Sequence, residues 1–298
     1  MENKASKCGM CPRACNIDRA AGKGFCGMGS LPVVAKAFLH MWEEPCISGS
    51  RGSGAVFFSG CNLKCVYCQN YTISQENFGR KISIEALSRI YLSLQQKGAH
   101  NINLVNPSHF TVQIRESLDA AKELSIPVVY NSNGYDSLES LKQMEGRVQV
   151  YLPDLKYFSP GTSREYSGAP DYFQVAAQAV LEMCRQTGTP VFDGEGLMQK
   201  GLIVRHLILP GLAEESIKIL DWIKANLPGH VLVSLMSQYT PYYKADCHPK
   251  INRRITRREY DRVVNHFLKL GFENGYIQER DSAEEGYIPD FNLEGVDG

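Results

Sequence analysis

From Ala55 onward the sequence alternates short apolar runs with amphipathic stretches, which restricts the chain to a mostly parallel sheet covered by helices. The apolar runs predict strands over 55–58, 102–105, 126–130, 148–152, 202–209 and 231–236. Helices are predicted between and after them, over 84–95, 114–124, 138–144, 173–186, 214–225 and from 256 onward. The first carries Leu87, Ile90, Tyr91 and Leu94 on one face, and the third is started by Asp136 or Ser137 as cap. The last opens on the capping box Thr256-Arg257-Arg258-Glu259 and carries Tyr260, Val263, Val264, Phe267 and Leu270. Six such repeats with short connections give a partial (β/α)6 barrel of the TIM type. Right-handed crossovers then bring every strand's C-terminal end to one rim.

The first predicted strand runs into Ser59-Gly60-Cys61-Asn62-Leu63-Lys64-Cys65-Val66-Tyr67-Cys68-Gln69-Asn70, so this loop belongs on that rim. The spacing Cys-x3-Cys-x2-Cys lets three thiolates point at one spot. Thiolates suit iron–sulfur clusters, whereas a zinc site wants a fourth ligand, and no His or Cys follows closely. Three sulfurs on a four-iron cube leave one iron open to a substrate. Chance spacing and half of a zinc site are the competing readings. Tyr67, just before the last cysteine, is placed where a planar ring can stack.

A second cysteine set, Cys8, Cys11, Cys15 and Cys26, lies in a glycine-rich stretch with almost no apolar core of its own. Such a knot needs a metal for order, and zinc and a second iron–sulfur cluster fit equally well; free thiols are the alternative. Its role is either structural or the passage of electrons to the first cluster. The division expected is a Cys-rich metal-binding knot over 1–30, a pre-barrel segment over 31–54 and a barrel over 55–298 with a C-terminal helix.

The cysteine loop resembles the signature of the radical S-adenosylmethionine (SAM) superfamily. The longer run from Gly52 to Asn70 is similar to the branch that contains pyruvate formate-lyase activating enzymes. The resemblance implies a [4Fe–4S] cluster on Cys61, Cys65 and Cys68, and SAM chelated to the open iron. It also implies a flavodoxin- or ferredoxin-type electron donor, an anaerobic setting and, as reaction, glycyl-radical formation on a partner enzyme. Radical chemistry on a small molecule or peptide is the alternative. A non-catalytic iron–sulfur electron carrier or scaffold is the rival class, and polar groups at the strand ends argue against it.

Those strand ends supply the remaining candidates. After the second comes Asn106-Pro107-Ser108-His109, where the family usually has a Gly-Gly-Glu-like segment for the methionyl amino group. Asn106, Ser108 or His109 can substitute as acceptor, and capping of the next helix is the competing role for His109. Asn131-Ser132-Asn133-Gly134 after the third strand and Asp154-Leu155-Lys156 after the fourth resemble the family's SAM-holding segments. Oxygens of Asn131, Ser132 and Asp154 suit a monovalent cation near the SAM carboxylate, and Lys156 can neutralise a carboxylate or meet the substrate backbone. Alternation puts Arg205 and His206 on opposite faces of the fifth strand. The resemblance favours Arg205 as the residue that grips SAM, with His206 buried. Gln238, between Ser237 and Tyr239, ends the sixth strand beside the adenosine pocket. His40, Glu43 and Glu44 resemble the family's pre-barrel segment, and no role for them is readable. Cys184 sits on an apolar stripe as an inert core thiol, and Cys46 and Cys247 carry no assignment.

The 298 residues suffice for one large α/β domain with small additions, and a formal net charge of zero gives no field favouring nucleic acid or an anionic membrane. No apolar run approaches a membrane span, and the first residues do not lead into a signal-peptide core, so a cytoplasmic location is expected. Cysteines remain reduced there, and ten of them imply metal ligation more than disulfides.

Overall fold

The computed structural model describes residues 7–279 and 289–296. Residues 1–6 of the expected knot, and 280–288 and 297–298 of the expected barrel unit, lie outside the described residues. In chain order the elements are β1 (Val33–His40), α1 (Pro45–Ser48), β2 (Ser53–Phe58), α2 (Tyr71–Ser74), β3 (Arg80–Lys81), α3 (Ile84–Gln96), β4 (Ile102–Val105), α4 (Thr111–Ala120) and β5 (Val128–Ser132). There follow α5 (Leu138–Met144), β6 (Val150–Pro153), α6 (Pro160–Ser167), α7 (Tyr172–Thr187), β7 (Val191–Phe192), β8 (Met198–Leu207), α8 (Ala213–Asn226), β9 (Leu232–Met236), α9 (Arg257–Lys269) and β10 (Gly275–Ile277).

The strands form one sheet in the order β10-β9-β8-β6-β5-β4-β2-β1-β3, with β7 paired to β8. From β2 to β10 every neighbouring pair on this path is parallel. β1 runs antiparallel to β2 and extends the sheet beyond the first barrel strand. Among the described residues no pairing joins β10 to the far edge, so the barrel is partial and open on one side, as the alternation predicted.

β2 is buried along its whole length because both of its faces are covered. Val56 and Phe58 pack in one cluster with Leu87, Ile90 and Leu94 of α3. Ala55 and Phe57 belong to a second cluster with Ala35 and Ile73. The capping signals read from the sequence operate as expected. Ser137 accepts from the Ser140 amide at 3.2 Å. Thr256 and Glu259 bond reciprocally, at 3.3 Å and 2.8 Å.

The differences have local causes. β5 starts at Val128 instead of 126, directly after Pro127, which has no N–H for the ladder. It runs on to Ser132, so two site candidates sit inside the strand. β8 begins earlier than expected, at Met198, because β7 folds back on it. The segment 31–54 carries β1 and α1. Its strand pattern is poorly visible in the sequence because β1 is buried on both faces and shows little alternation.

The knot contains no regular element between residues 8 and 28. It is folded by turns such as Cys8 N–H to Ile17 at 2.8 Å and Asn16 N–H to Cys8 at 3.0 Å. Cys26 and Met28 join the main core, which ties the knot to the barrel.

Candidate active site at the strand ends

The C-terminal ends of β2, β4, β5, β6, β8 and β9 surround two cavities that share Asn131, Arg205, Met236 and Gln238 in their walls. One, of about 240 Å³, lies against the cysteine loop. The other, of about 350 Å³, occupies the barrel lumen toward β1, β10 and the 42–45 segment.

All three loop cysteines line the first cavity. The loop reaches it through Gly60, whose φ of +81° suits glycine, and a Cβ there would come within 2.6 Å of the Cys26 carbonyl oxygen and the Met28 side chain. Each sulfur has a donor. Asn133 Nδ2 reaches Cys61 at 3.5 Å, Ser167 Oγ reaches Cys65 at 2.9 Å and Ser74 Oγ reaches Cys68 at 3.2 Å. Burial pushes the Cys65 thiol up against the opposing pull of Lys156. Burial, with the neighbouring Cys65 charge, pushes Cys68 up to about 12. Thiols held protonated this way become thiolates when a metal takes the place of the proton.

The cavity wall carries a half-buried ionic network. Arg205 spends its guanidinium on Asp154 Oδ1 at 3.0 Å, Glu43 Oε2 at 3.1 Å and Asn131 Oδ1 at 2.5 Å. Lys156 Nζ holds Asp154 Oδ2 at 2.6 Å. Burial opposes the Arg205 charge, yet Asp154, Glu44 and Glu43 outweigh it and lift its pKa. Burial likewise opposes the Asp154 charge, and Lys156 and Arg205 overcome it, holding the carboxyl below its usual value. Glu43 also accepts from Asn103 at 2.9 Å and Asn131 at 3.2 Å.

Asn106, Asn131, Ser132, Asn133, Asp154, Lys156, Arg205 and Gln238 all line the cavity beside the cysteines. Tyr67 does too, but its hydroxyl is tied to Tyr157 at 2.7 Å and its ring meets Tyr239 edge-on at 5.6 Å. Ser108 and His109 are not brought there. Ser108 is buried outside the lining. His109 turns back to the Ser59 carbonyl at 2.7 Å, and burial lowers its pKa to about 4. Of the three acceptors weighed at this strand end, only Asn106 faces the cavity. It adopts φ +61°, and its Oδ1 is buried without a partner. The oxygens considered for a monovalent cation are otherwise occupied: Asn131 and Asp154 by Arg205 and Lys156, and Ser132 by a hydrogen bond to Asp136 at 2.6 Å. His206 is buried on the far side of β8, bonded to Leu155 and Ser216. Ser237 bonds the backbone at Gln278 and Glu279. Cys184 lies in the core, Cys46 is buried and Cys247 exposed.

Sequence reading missed Glu43 and Glu44 as site residues, and the sulfur donors Ser74 and Ser167. None belongs to a spaced motif. For the acidic pair the signals were the Glu-Glu-Pro corner after a run of apolar residues and the likeness to the family's pre-barrel segment, neither of which gave a role.

Over residues 55–223 the chain matches the Radical SAM superfamily, and it belongs to that superfamily. An uncharacterized protein of Methanocaldococcus jannaschii is 31% identical over 273 residues, covering 88% of this chain and 75% of that protein. A second uncharacterized protein of the same organism is 23% identical over 275 residues, covering 84% of this chain and 72% of that protein. Among solved structures, Streptococcus suis SuiB bound to its precursor peptide SuiA is similar, with a TM-score of 0.51 at 15% identity over 74% of this chain and 46% of that one. SuiB bound to S-adenosylmethionine gives 0.50 at 15% identity, over 76% and 50% respectively. The chain thus spans about half the length of these SuiB structures, and the likeness shows the shared fold.

The superfamily implies a [4Fe–4S] cluster and SAM, and the residues present fit both. Three thiols that each accept a hydrogen bond and border one cavity suit a cluster bound at three corners. The unpartnered Oδ1 atoms of Asn106 and Asn70 at the cavity wall suit a ligand with N–H donors. No helix among the described residues is long and apolar enough to cross a membrane.

Proposed function

We propose that this protein cleaves SAM reductively at a cluster held by Cys61, Cys65 and Cys68, and that the resulting radical takes a hydrogen atom from a substrate in the lumen cavity. When bound, the cluster and SAM together supply one-electron cleavage of a carbon–sulfur bond, giving methionine and a 5′-deoxyadenosyl radical. The observation that carries this reading is the convergence of the three thiols with Asn106, Asn131, Asp154 and Arg205 on one cavity. A pure electron carrier has no use for such a wall.

The protein's residues have distinct tasks. Asn106 Oδ1 would accept from an N–H of the methionyl amino group, the role that the resemblance gives to a Gly-Gly-Glu segment. Lys156 and Arg205 face the methionyl carboxylate while remaining braced by Asp154. Tyr67, Tyr239 and Gln238 bound the adenosine side and exclude water. A flavodoxin or ferredoxin delivers the electron.

For the hydrogen donor, the ionic lining of the lumen favours a small molecule or peptide that carries a charged group of its own. Hydrogen abstraction from a glycine Cα of a partner enzyme is the second reading, supported by the likeness of the 52–70 run to activating enzymes. Cys8, Cys11, Cys15 and Cys26 we take as a second metal site. Their support is mutual proximity: burial first, then the charges of Cys26, Cys15 and Cys8, push Cys11 up to about 12. Among the described residues, no three His, Cys, Asp or Glu side chains are grouped so as to hold a metal ion, so metal uptake has to draw sulfurs together in the knot and in the 61–68 loop alike.

Anaerobic loading with iron and sulfide, followed by dithionite and SAM, tests the main reading. Release of 5′-deoxyadenosine and methionine is expected, and fully loaded protein that releases neither refutes it. Added candidate glycyl-radical enzymes should give a glycyl doublet in electron paramagnetic resonance only if the second reading holds.

A further inference from the structure

The lumen cavity is lined by three charged side chains, Glu43, Glu44 and Arg205. His40 adds no charge at neutral pH, because burial, with Arg205 and Lys36 nearby, lowers its pKa to about 4. Arg205 is committed to Asp154, Glu43 and Asn131, and Lys156 to Asp154. Among the described residues two cations therefore face three carboxylates, and the carboxylate without a hydrogen-bonded cation is Glu44. It is 8% exposed and forms no ion pair among the described residues. Its Oε2 is buried with no hydrogen-bond partner among the described residues.

A buried carboxylate oxygen without a donor is costly, and the cost disappears when a cation arrives with N–H groups to give. Burial pushes the Glu44 carboxyl up, against the attraction of Arg205 and with Glu43 adding to the rise. Trp42, Phe57 and Tyr276 lie in the same wall and give an amine or guanidinium stem aromatic neighbours. The cavity's 350 Å³ admits a group the size of a lysine or arginine side chain.

Resting on the proposed function, we infer that the substrate carries an amine or guanidinium cation, seated in the lumen and held by Glu44, with its reactive hydrogen turned toward the cavity at Cys61–Cys68. The cation belongs either to a free small molecule or to a basic side chain of a peptide. The chemistry at Glu44 is the same in both cases.

The test uses cluster-loaded, oxidised protein saturated with SAM, and ligand-observed saturation-transfer nuclear magnetic resonance. One set of probes is n-butylamine and n-butylguanidine, with 1-pentanol as neutral control. The other is blocked Gly-Lys-Gly and Gly-Arg-Gly, with blocked Gly-norleucine-Gly as control. Cations should bind at least about tenfold more tightly than their neutral counterparts, and Glu44→Gln should lose that preference. Preference within the first set alone identifies a small molecule, and within the second a peptide. Neutral probes binding as tightly as cations overturn the inference, as does an unchanged preference in Glu44→Gln. If Glu44→Gln weakens SAM binding as much as probe binding, the carboxylate serves the cofactor and the inference falls. Should the variant not fold, the cation-to-neutral ratio on the wild-type protein still decides. Protein that releases 5′-deoxyadenosine yet shows no such ratio sinks only this inference. Loaded protein that prefers cations but releases none sinks only the proposed function.

Discussion

The two cysteine sets are held in different ways. In the 61–68 loop the sulfurs are placed by a strand end and a positive-φ glycine, each accepts a hydrogen bond, and all border a cavity. In the 8–26 knot the backbone is held by turns. Cys15 accepts from the Phe25 amide at 3.3 Å, Cys11 from the Arg13 backbone and Cys26 from the Met28 backbone, and none of the four lines the two cavities at the strand ends. The first arrangement is built around chemistry, the second around local order. Arg13 connects them. From between Cys11 and Cys15 it donates to Asn62 at 2.7 Å, Gly168 at 2.8 Å and Ser167 at 3.2 Å, and Ser167 in turn donates to Cys65. The knot thereby steadies the donor of a loop sulfur.

The largest contrast is expected from single cysteine substitutions. Cys65→Ala should cut 5′-deoxyadenosine release by more than about 100-fold, beyond the effect of outer-shell changes. Cys11→Ser should keep release within about tenfold of wild type while lowering metal content measured by plasma mass spectrometry. Equal losses of release in the two variants would erase the distinction between the sets. A smaller effect sharpens the link between them. Ser167→Ala removes a hydrogen bond to Cys65 and should lower the cluster midpoint potential by about 40 mV, the one-electron equivalent of about 1 kcal/mol. Arg13→Ala should shift it the same way by less, as read by potentiometric titration, and no shift in either variant breaks the link. The smallest effect is expected at Cys184, buried in the core away from both sets. Cys184→Ala should leave release within about twofold of wild type.

How far the sequence could be read follows the same division. The six barrel strands and their helices were legible because burial imposes a period, and the helix caps because Ser137 and Thr256 act within three residues. The loop cysteines were legible as a motif because all three fall within the short run 61–68. Asp154 and Arg205 were placed by their positions at strand ends, and the structure shows them bonded across adjacent strands. Glu43 and Glu44 were not legible as site residues. Glu43 meets Arg205 from 162 positions away, and no spacing records such a contact. Ser167 was hidden for the same reason, lying 102 positions from Cys65. Asn106, Ser108 and His109 looked interchangeable, and only the left-handed turn at Asn106 separates the one that faces the cavity from the two that turn away.

The central claim is that three cysteines bind a four-iron cluster and leave one iron free for SAM. Electron paramagnetic resonance of the reduced, anaerobically loaded protein, before and after SAM is added, tests it most directly. The account predicts a [4Fe–4S] signal whose g-values move on addition of SAM in wild type, and no such signal from the loop in Cys65→Ala. A signal indifferent to SAM, or a mononuclear zinc at Cys61, Cys65 and Cys68, would contradict it.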